Sequence, residues 1–252
     1  MHERTVVSEF TRQAESFNRS SAATDADLLD VIVALAAAQP TERWLEAACG
    51  PGLIARRLAP TAGAVEGVDM TPAMIDVARR EAAAARLRNV TFSVGDATAL
   101  DCPDRRYDGA VARFALHHIP LPGRLARELA RVVAPGGRIV LADHLADPLP
   151  AVAAWSQEIE RLRDPSHWSC LSRARLRDLC AAAGLELERE DVMPLELDFD
   201  DWLRRGGGGD AVRALVEEAL ADPPGPPECF RVFEREGRRI LRLQVWVARL
   251  SR

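Results

Sequence analysis

Three acidic residues stand where short apolar runs end. Glu46 lies in the run 43–48, Asp69 closes the run 64–69, and Asp96 follows the run 90–94. Ligands of open α/β sheets bind beyond the carboxyl ends of strands, so these are positions where side chains meet a ligand. After Glu46 comes the turn Cys49-Gly50-Pro51-Gly52. Its two glycines let the backbone come close to a ligand and take a geometry that a side chain would obstruct. The helix expected next offers free N–H groups to an anionic group, whereas an acid at 46 suits a cationic group better than a pyrophosphate. Asp69 lies 19 positions beyond Gly50, where a carboxylate can accept from both hydroxyls of a ribose. Asp96, in Gly95-Asp96-Ala97, can accept from an adenine amino group, with the Ala97 N–H aimed at the ring. The spacing suits a ligand with an amino-acid head, a ribose and an adenine.

The second set of reactive side chains is imidazole. His117 and His118 follow the apolar run 107–113, His144 follows the run 138–142, and His167 sits in the turn Asp164-Pro165-Ser166-His167. Four of the five histidines therefore fall where a second substrate would be shaped. Each can serve as a general base near neutral pH. His117, His144 and His167 are the catalytic candidates. Each also has a structural alternative: His117 in packing, His144 on a backbone carbonyl, His167 in local pairing with Asp164. Trp155, Trp168 and Trp202 are candidates for the floor of an apolar pocket, and Trp44 and Trp246 read as core. No Cys or His spacing fits zinc, so no metal is expected.

These side chains need a scaffold, and the patterning supplies one. The chain has 252 residues, 48% of them hydrophobic and 28% charged, as expected of an ordinary globular protein. Residues 5–21 read as a helix or ordered arm carrying Phe10 and Phe17, and 27–38 as a helix stopped by Gln39-Pro40. Strand and helix then alternate: strands at 43–48, 64–69, 90–94, 107–113 and 138–142, helices at 53–58, 71–87 and 121–133. Thr71-Pro72 gives an N-cap and a proline at the first helical position. Such alternation implies a mainly parallel sheet with helices on both faces. Beyond it, helices are expected at 148–163, 172–183 (capped by Ser172), 199–205 and 210–221, a strand region at 185–197, and a flexible glycine run at 206–209. Residues 230–250 read as a hairpin turning at Glu236-Gly237. The expectation is one domain: an N-terminal helical arm or lid (1–40), a ligand-binding core (41–147), substrate-side and cap elements (148–229), and the terminal hairpin (230–252).

Five segments, in order, carry a resemblance. They are Leu45-Glu46-Ala47-Ala48-Cys49-Gly50-Pro51-Gly52, Gly67-Val68-Asp69-Met70-Thr71, Gly95-Asp96-Ala97, Arg113-Phe114-Ala115-Leu116-His117-His118, and Arg131-Val132-Val133-Ala134-Pro135-Gly136-Gly137-Arg138. Together they resemble the class I S-adenosylmethionine-dependent methyltransferases, in the branch with the ubiquinone/menaquinone C-methyltransferase-like proteins, over about residues 10–184. The resemblance implies a Rossmann-like, mainly parallel seven-stranded sheet with helices on both faces and an antiparallel last strand. It implies that Glu46, Ala48, Gly50 and Gly52 surround the methionine part of S-adenosylmethionine. Asp69 and Met70 would hold ribose and flank adenine, Asp96 and Ala97 would bind adenine, and Arg113 and His118 would border the sulfonium. The motif departs from the family's more frequent aspartate at 46 and glycine at 48.

The functional expectation is methyl transfer to an oxygen or carbon of a small, apolar or aromatic metabolite. Two alternatives stay open: a fold repurposed for a non-methylating or binding role, and a nicotinamide-dependent oxidoreductase. The latter needs a third glycine in the turn, and Ala55 stands at that spacing. The net charge of −5 argues against a nucleic-acid partner. All 33 basic residues are arginine. Five scattered cysteines, a polar N-terminus and apolar stretches too short to span a bilayer lead to the expectation of a cytoplasmic protein without a membrane partner, monomeric or homodimeric.

Overall fold

The computed structural model describes residues 1–207 and 209–252. Of the expected flexible glycine run, Gly208 lies outside the described residues. Three helices come first: α1 (His2–Phe17), α2 (Ser21–Thr24) and α3 (Ala26–Ala36). The alternating section follows as β1 (Arg43–Ala47), α4 (Leu53–Leu58), β2 (Ala64–Asp69), α5 (Pro72–Ala84), β3 (Val90–Val94), β4 (Tyr107–Arg113), a 3-10 turn (Leu116–His118), α6 (Gly123–Val132) and β5 (Val133–His144). The remainder is α7 (Pro150–Arg163), α8 (Arg173–Ala182), β6 (Glu186–Asp198), α9 (Phe199–Arg205), α10 (Gly209–Leu220), β7 (Phe230–Arg235) and β8 (Arg238–Ser251).

The sheet runs β3-β2-β1-β4-β5-β8-β6. The first five strands are parallel, and β8 is antiparallel to both β5 and β6. This is the seven-stranded path implied by the resemblance, and the terminal hairpin adds β7 alongside β8. Strand order reverses between β1 and β4, which opens a crevice at their carboxyl ends. The central strands are covered on both faces. Trp44 joins Ile54, Leu58 and Val111 in one core, and its neighbour Leu45 joins Ala110, Leu129 and Trp246 in the other.

Local signals account for several boundaries. The Asp25 carboxylate accepts from Leu28 N–H at 2.8 Å and starts α3, and Ser172 caps α8 as its sequence suggests. Thr71 stands at the head of α5 but makes no side-chain cap; its N–H donates to Asp69 instead. Strand β5 starts earlier than the Pro135-Gly136-Gly137 stop implies. Val133 already pairs with Tyr107, and the register then shifts to Gly109 opposite Arg138.

The turn after β1 is built on the ring of Phe92. A Cβ on Gly52 would lie 2.5 Å from that ring, at φ +72. Ala48, where the family more often has glycine, takes φ 53, a conformation that costs an L-residue about 1 kcal/mol. Gly52→Ala is expected to destabilise the protein by about 1–3 kcal/mol through overpacking, while Ala48→Gly should change stability by no more than about 1 kcal/mol. Urea unfolding of both variants checks this contrast.

Candidate active site

Glu46 ends β1 in a dry position. Its Oε2 accepts from Ala55 N–H at 2.7 Å and its Oε1 from Ile54 N–H at 3.3 Å, so the carboxylate covers the head of α4 and fixes the glycine turn to the strand. Burial pushes this carboxyl up to about 7, against the pull of the Ala55 N–H and of Arg113. Asp69 does a similar job one strand over. Its Oδ2 accepts from Gly50 N–H and its Oδ1 from Thr71 N–H, both at 2.8 Å. Burial raises its pKa despite those two donors. Asp96 accepts from the N–H and the hydroxyl of Thr98.

A cavity of about 260 Å³ opens along these strand ends. Glu46, Ala48 and Gly50 line it on the turn side, with Asp69, Met70, Asp96 and Ala97 along the next two strands. Arg113 and His118 complete this part of the lining. Gly52 lies behind the wall, against Phe92. Two features show that the turn leaves room for a ligand. A Cβ on Gly50 would meet nothing nearer than Met74 Sδ at 3.9 Å, and Gly50 itself has φ +50. Thus every residue that the resemblance assigns to the cofactor, except Gly52, meets one cavity.

The roof of the cavity comes from α1. His2, Glu3, Val6, Phe10 and Phe17 line it, and the Phe10 ring meets His118 edge-on with centroids 4.9 Å apart. His2 Nε2–H donates to the His118 carbonyl at 2.8 Å. Sequence reasoning identified the arm but not these contacts. The available signal was the seven-residue spacing of Phe10 and Phe17, which places both on one helix face. Among the described residues, none of the substrate-side elements expected at 148–229 lines this cavity. Trp155 and Trp202 instead pack on Phe230, each with a centroid distance of 5.8 Å, because the β7–β8 hairpin supplies them an apolar neighbour. Trp168 is 46% exposed.

The fold gathers the four expected histidines into one group. His117 stacks on His144 at 4.8 Å and lies 4.2 Å from His118 and 5.6 Å from His167. Of these four, only His118 lines the cavity. His117 is buried behind it with Nδ1–H on Asp143. Asp143 also accepts from the N–H groups of Leu116 and His144 at 2.6 and 2.7 Å. Burial disfavours the His117 cation, yet the Asp143 carboxylate outweighs it and raises the imidazole pKa; Asp143 is lowered in turn, against its own burial. The other rings sit in that cation's field. Burial and then His117 push His118 down to about 4 and His144 to about 3, and lower His167 as well. His167 Nε2–H donates to Gln157 Oε1 at 2.5 Å. His118 Nδ1–H donates to the Ser166 carbonyl at 2.9 Å, a partner that can only accept, so the lone pair is on Nε2. Burial also brings Arg113 down to about 10, although Glu46 favours its charge. Among the described residues, no group of three or more His, Cys, Asp or Glu side chains converges as a metal site.

Comparison with known proteins points the same way. Residues 45–137 match a methyltransferase domain family. The chain is 30% identical over 198 residues to the uncharacterized methyltransferase YcgJ of Bacillus subtilis (strain 168), covering 79% of this chain and 78% of that protein. The crystal structure of YcgJ matches with a TM-score of 0.79 at 26% identity, over 89% of this chain and 97% of that one. A putative methyltransferase from Bacillus halodurans C-125 gives a TM-score of 0.83 at 25% identity, over 90% and 99%. The malonyl-[acyl-carrier protein] O-methyltransferase of Serratia marcescens is 30% identical over 203 residues, 77% of this chain and 76% of that protein.

The histidine group has a pH signature. In NMR titration, His118 and His144 are expected to stay neutral down to about 4 and about 3, while His117 titrates above its ordinary 6.5. For His118 and His144 the folded value lies below the unfolded one. Their contribution to stability is therefore present above pH 6.5 and is lost as pH falls from there toward 4 and 3. For His117 the sign is opposite, and its contribution is lost as pH rises through its raised value. Coincident titration of all three rings near pH 6.5 would reject the buried dyad.

Proposed function

Because the chain belongs to the class I S-adenosylmethionine-dependent methyltransferases, we propose that it methylates an oxygen or carbon of a small, apolar or aromatic metabolite. The observation that carries this reading is the shape of the cavity. Acids at three strand ends and the apolar Val6, Phe10 and Phe17 of α1 line one and the same cavity, together with His118. Bound S-adenosylmethionine supplies an electrophilic methyl group on a sulfonium. Asp69 accepts from the ribose hydroxyls and Met70 flanks the adenine. Asp96 and the Ala97 N–H read the adenine edge. Glu46, Ala48, Gly50 and Gly52 shape the cradle of the methionine part, and Arg113 and His118 border the sulfonium.

Alignment of the acceptor with the methyl group is the chain's main task in an in-line displacement. The apolar face of α1 orients the acceptor and excludes water. His118 Nε2 takes the acceptor's proton. Its ring is neutral at physiological pH, as a base must be, and a pKa of about 4 makes it weak. So weak a base suits an acceptor whose own proton is acidic, such as an acidic phenol or an activated carbon; a carboxylate acceptor is already ionised and needs no base. His117, His144 and His167 act from behind the wall: burial, reinforced by the His117 cation that Asp143 holds, keeps His118 unprotonated, and the other two brace the rings. The scattered cysteines are all free thiols and the net charge is −5, which supports a cytoplasmic enzyme acting on small molecules rather than nucleic acid. Among the described residues, no helix is long and apolar enough to cross a membrane.

Calorimetric titration is expected to show binding of S-adenosylhomocysteine and none of NAD. Asp69→Ala should weaken that binding by about 10- to 100-fold, the loss of two hydrogen bonds from a charged acceptor; unchanged affinity would mean the cofactor lies elsewhere. A metabolite library screened with labelled S-adenosylmethionine should yield phenolic, carboxylic or carbon acceptors, and a hit set of amines alone would overturn the reading. With a phenolic or carbon acceptor, His118→Ala should lower kcat by about 100-fold. Full activity in that variant, with loss on His117→Ala, would move the base to His117.

A further inference from the structure

A second cavity, of about 620 Å³, adjoins the first. It runs between the segment leading into α6 and the exposed side of α8, and it shares Ile119, Pro120, Leu121 and Arg124 with the cofactor cavity. These four residues therefore form a common border of the two cavities. Its lining joins two chemistries. Leu121 and Trp168 are large apolar side chains, 56% and 46% exposed. Arg124, Arg127 and Arg175 stand around them, against the single carboxylate of Asp178.

The arginines here differ from their neighbours. On α6, Arg131 is bound to Glu128 and Asp104. On α8, Arg173 and Arg177 share Glu190. Arg124, Arg127 and Arg175 have no ion-pair partner among the described residues. On the same two helices, then, the guanidinium groups that face the groove are the ones left uncompensated, in a chain whose net charge is −5. A planar guanidinium is well matched to a carboxylate or similar oxyanion, and exposed Leu and Trp side by side with it favour an apolar body next to that anion.

Building on the methyl-transfer reading above, we propose that this groove holds the acidic end of the methyl acceptor, an amphipathic organic anion. Its apolar body lies over Leu121 and Trp168, its charge rests among Arg124, Arg127 and Arg175, and its reactive end enters the first cavity past Ile119.

The test uses two fluorescent probes on the whole protein saturated with S-adenosylhomocysteine: 1-anilinonaphthalene-8-sulfonate, an apolar anion, and N-phenyl-1-naphthylamine, its uncharged counterpart. The anion is expected to quench tryptophan emission in a manner lost on Trp168→Phe. It should bind on the order of tenfold more weakly to Arg127→Gln/Arg175→Gln, while the neutral probe changes by less than about twofold. Decanoate should displace the anionic probe and decanol should not. Raising the salt concentration should weaken the anion alone. Equal affinity of the anion for wild type and double variant, or equal weakening of both probes, would overturn the proposal. Binding of S-adenosylhomocysteine by the double variant is read separately: its retention confirms an intact fold, and its absence from wild type would instead overturn the methyl-transfer reading.

Discussion

The Asp69 carboxylate is shared between two backbone donors, Gly50 N–H and Thr71 N–H, each at 2.8 Å. That one group ties the turn after β1 to the turn after β2, and so sets the width of the crevice between them. Glu46 repeats the device within the first unit by joining the end of β1 to the head of α4. Phe92 fills the space beneath, close enough that neither Gly52 nor Gly67 could carry a Cβ without displacing its ring. The cradle is thus stiff before any ligand arrives. Its acids hold the backbone in place and still present oxygen atoms to the cavity, which is how a small site achieves preorganisation.

A second buried charge organises the other end of the cavity. Asp143 satisfies three donors, one of them His117, and the resulting pair keeps its charge although burial opposes ionisation of both partners. The nearby imidazoles are held neutral by their own burial and, after it, by the His117 cation. The chemistry at the cavity wall is therefore governed by a pair that lies behind it. This arrangement separates two tasks: His117 sets the electrostatics, while His118 meets the ligand space with a defined tautomer.

The α1 helix gives the cavity its apolar lid, and the segment from Ile119 to Arg124 connects it to the outer groove. In the proposed reading the cofactor is met by strand ends, where the backbone is fixed by the sheet, and the acceptor by a helix and a loop, which can vary without disturbing the strands. The family match covers residues 45–137, while a name that specifies a substrate, such as malonyl-[acyl-carrier protein] in the Serratia marcescens protein, belongs to that protein.

Much of this was legible in the amino-acid order, for a physical reason. Strand-end acids, turn glycines and alternating apolar runs act through local geometry, so Glu46, Gly50, Asp69 and Asp96 declare both the parallel sheet and the cofactor edge, and Glu236-Gly237 declares the hairpin, where both residues indeed take positive φ. Which side chains share a space is a different matter. His117 and Asp143 are 26 positions apart, and His2 and His118 are separated by 116; no local pattern reports such meetings. Only the packing of α1 across the strand ends decided that His118, and not His117, His144 or His167, faces the cavity. Only the hairpin's apolar face decided that Trp155 and Trp202 belong to the core while Trp168 stays exposed beside unpaired arginines. Local sequence determined the acid-lined turns, because strand ends carry their own chemistry; tertiary contact determined the histidine group, the α1 lid and the outer groove, because those are assembled from segments far apart in the chain.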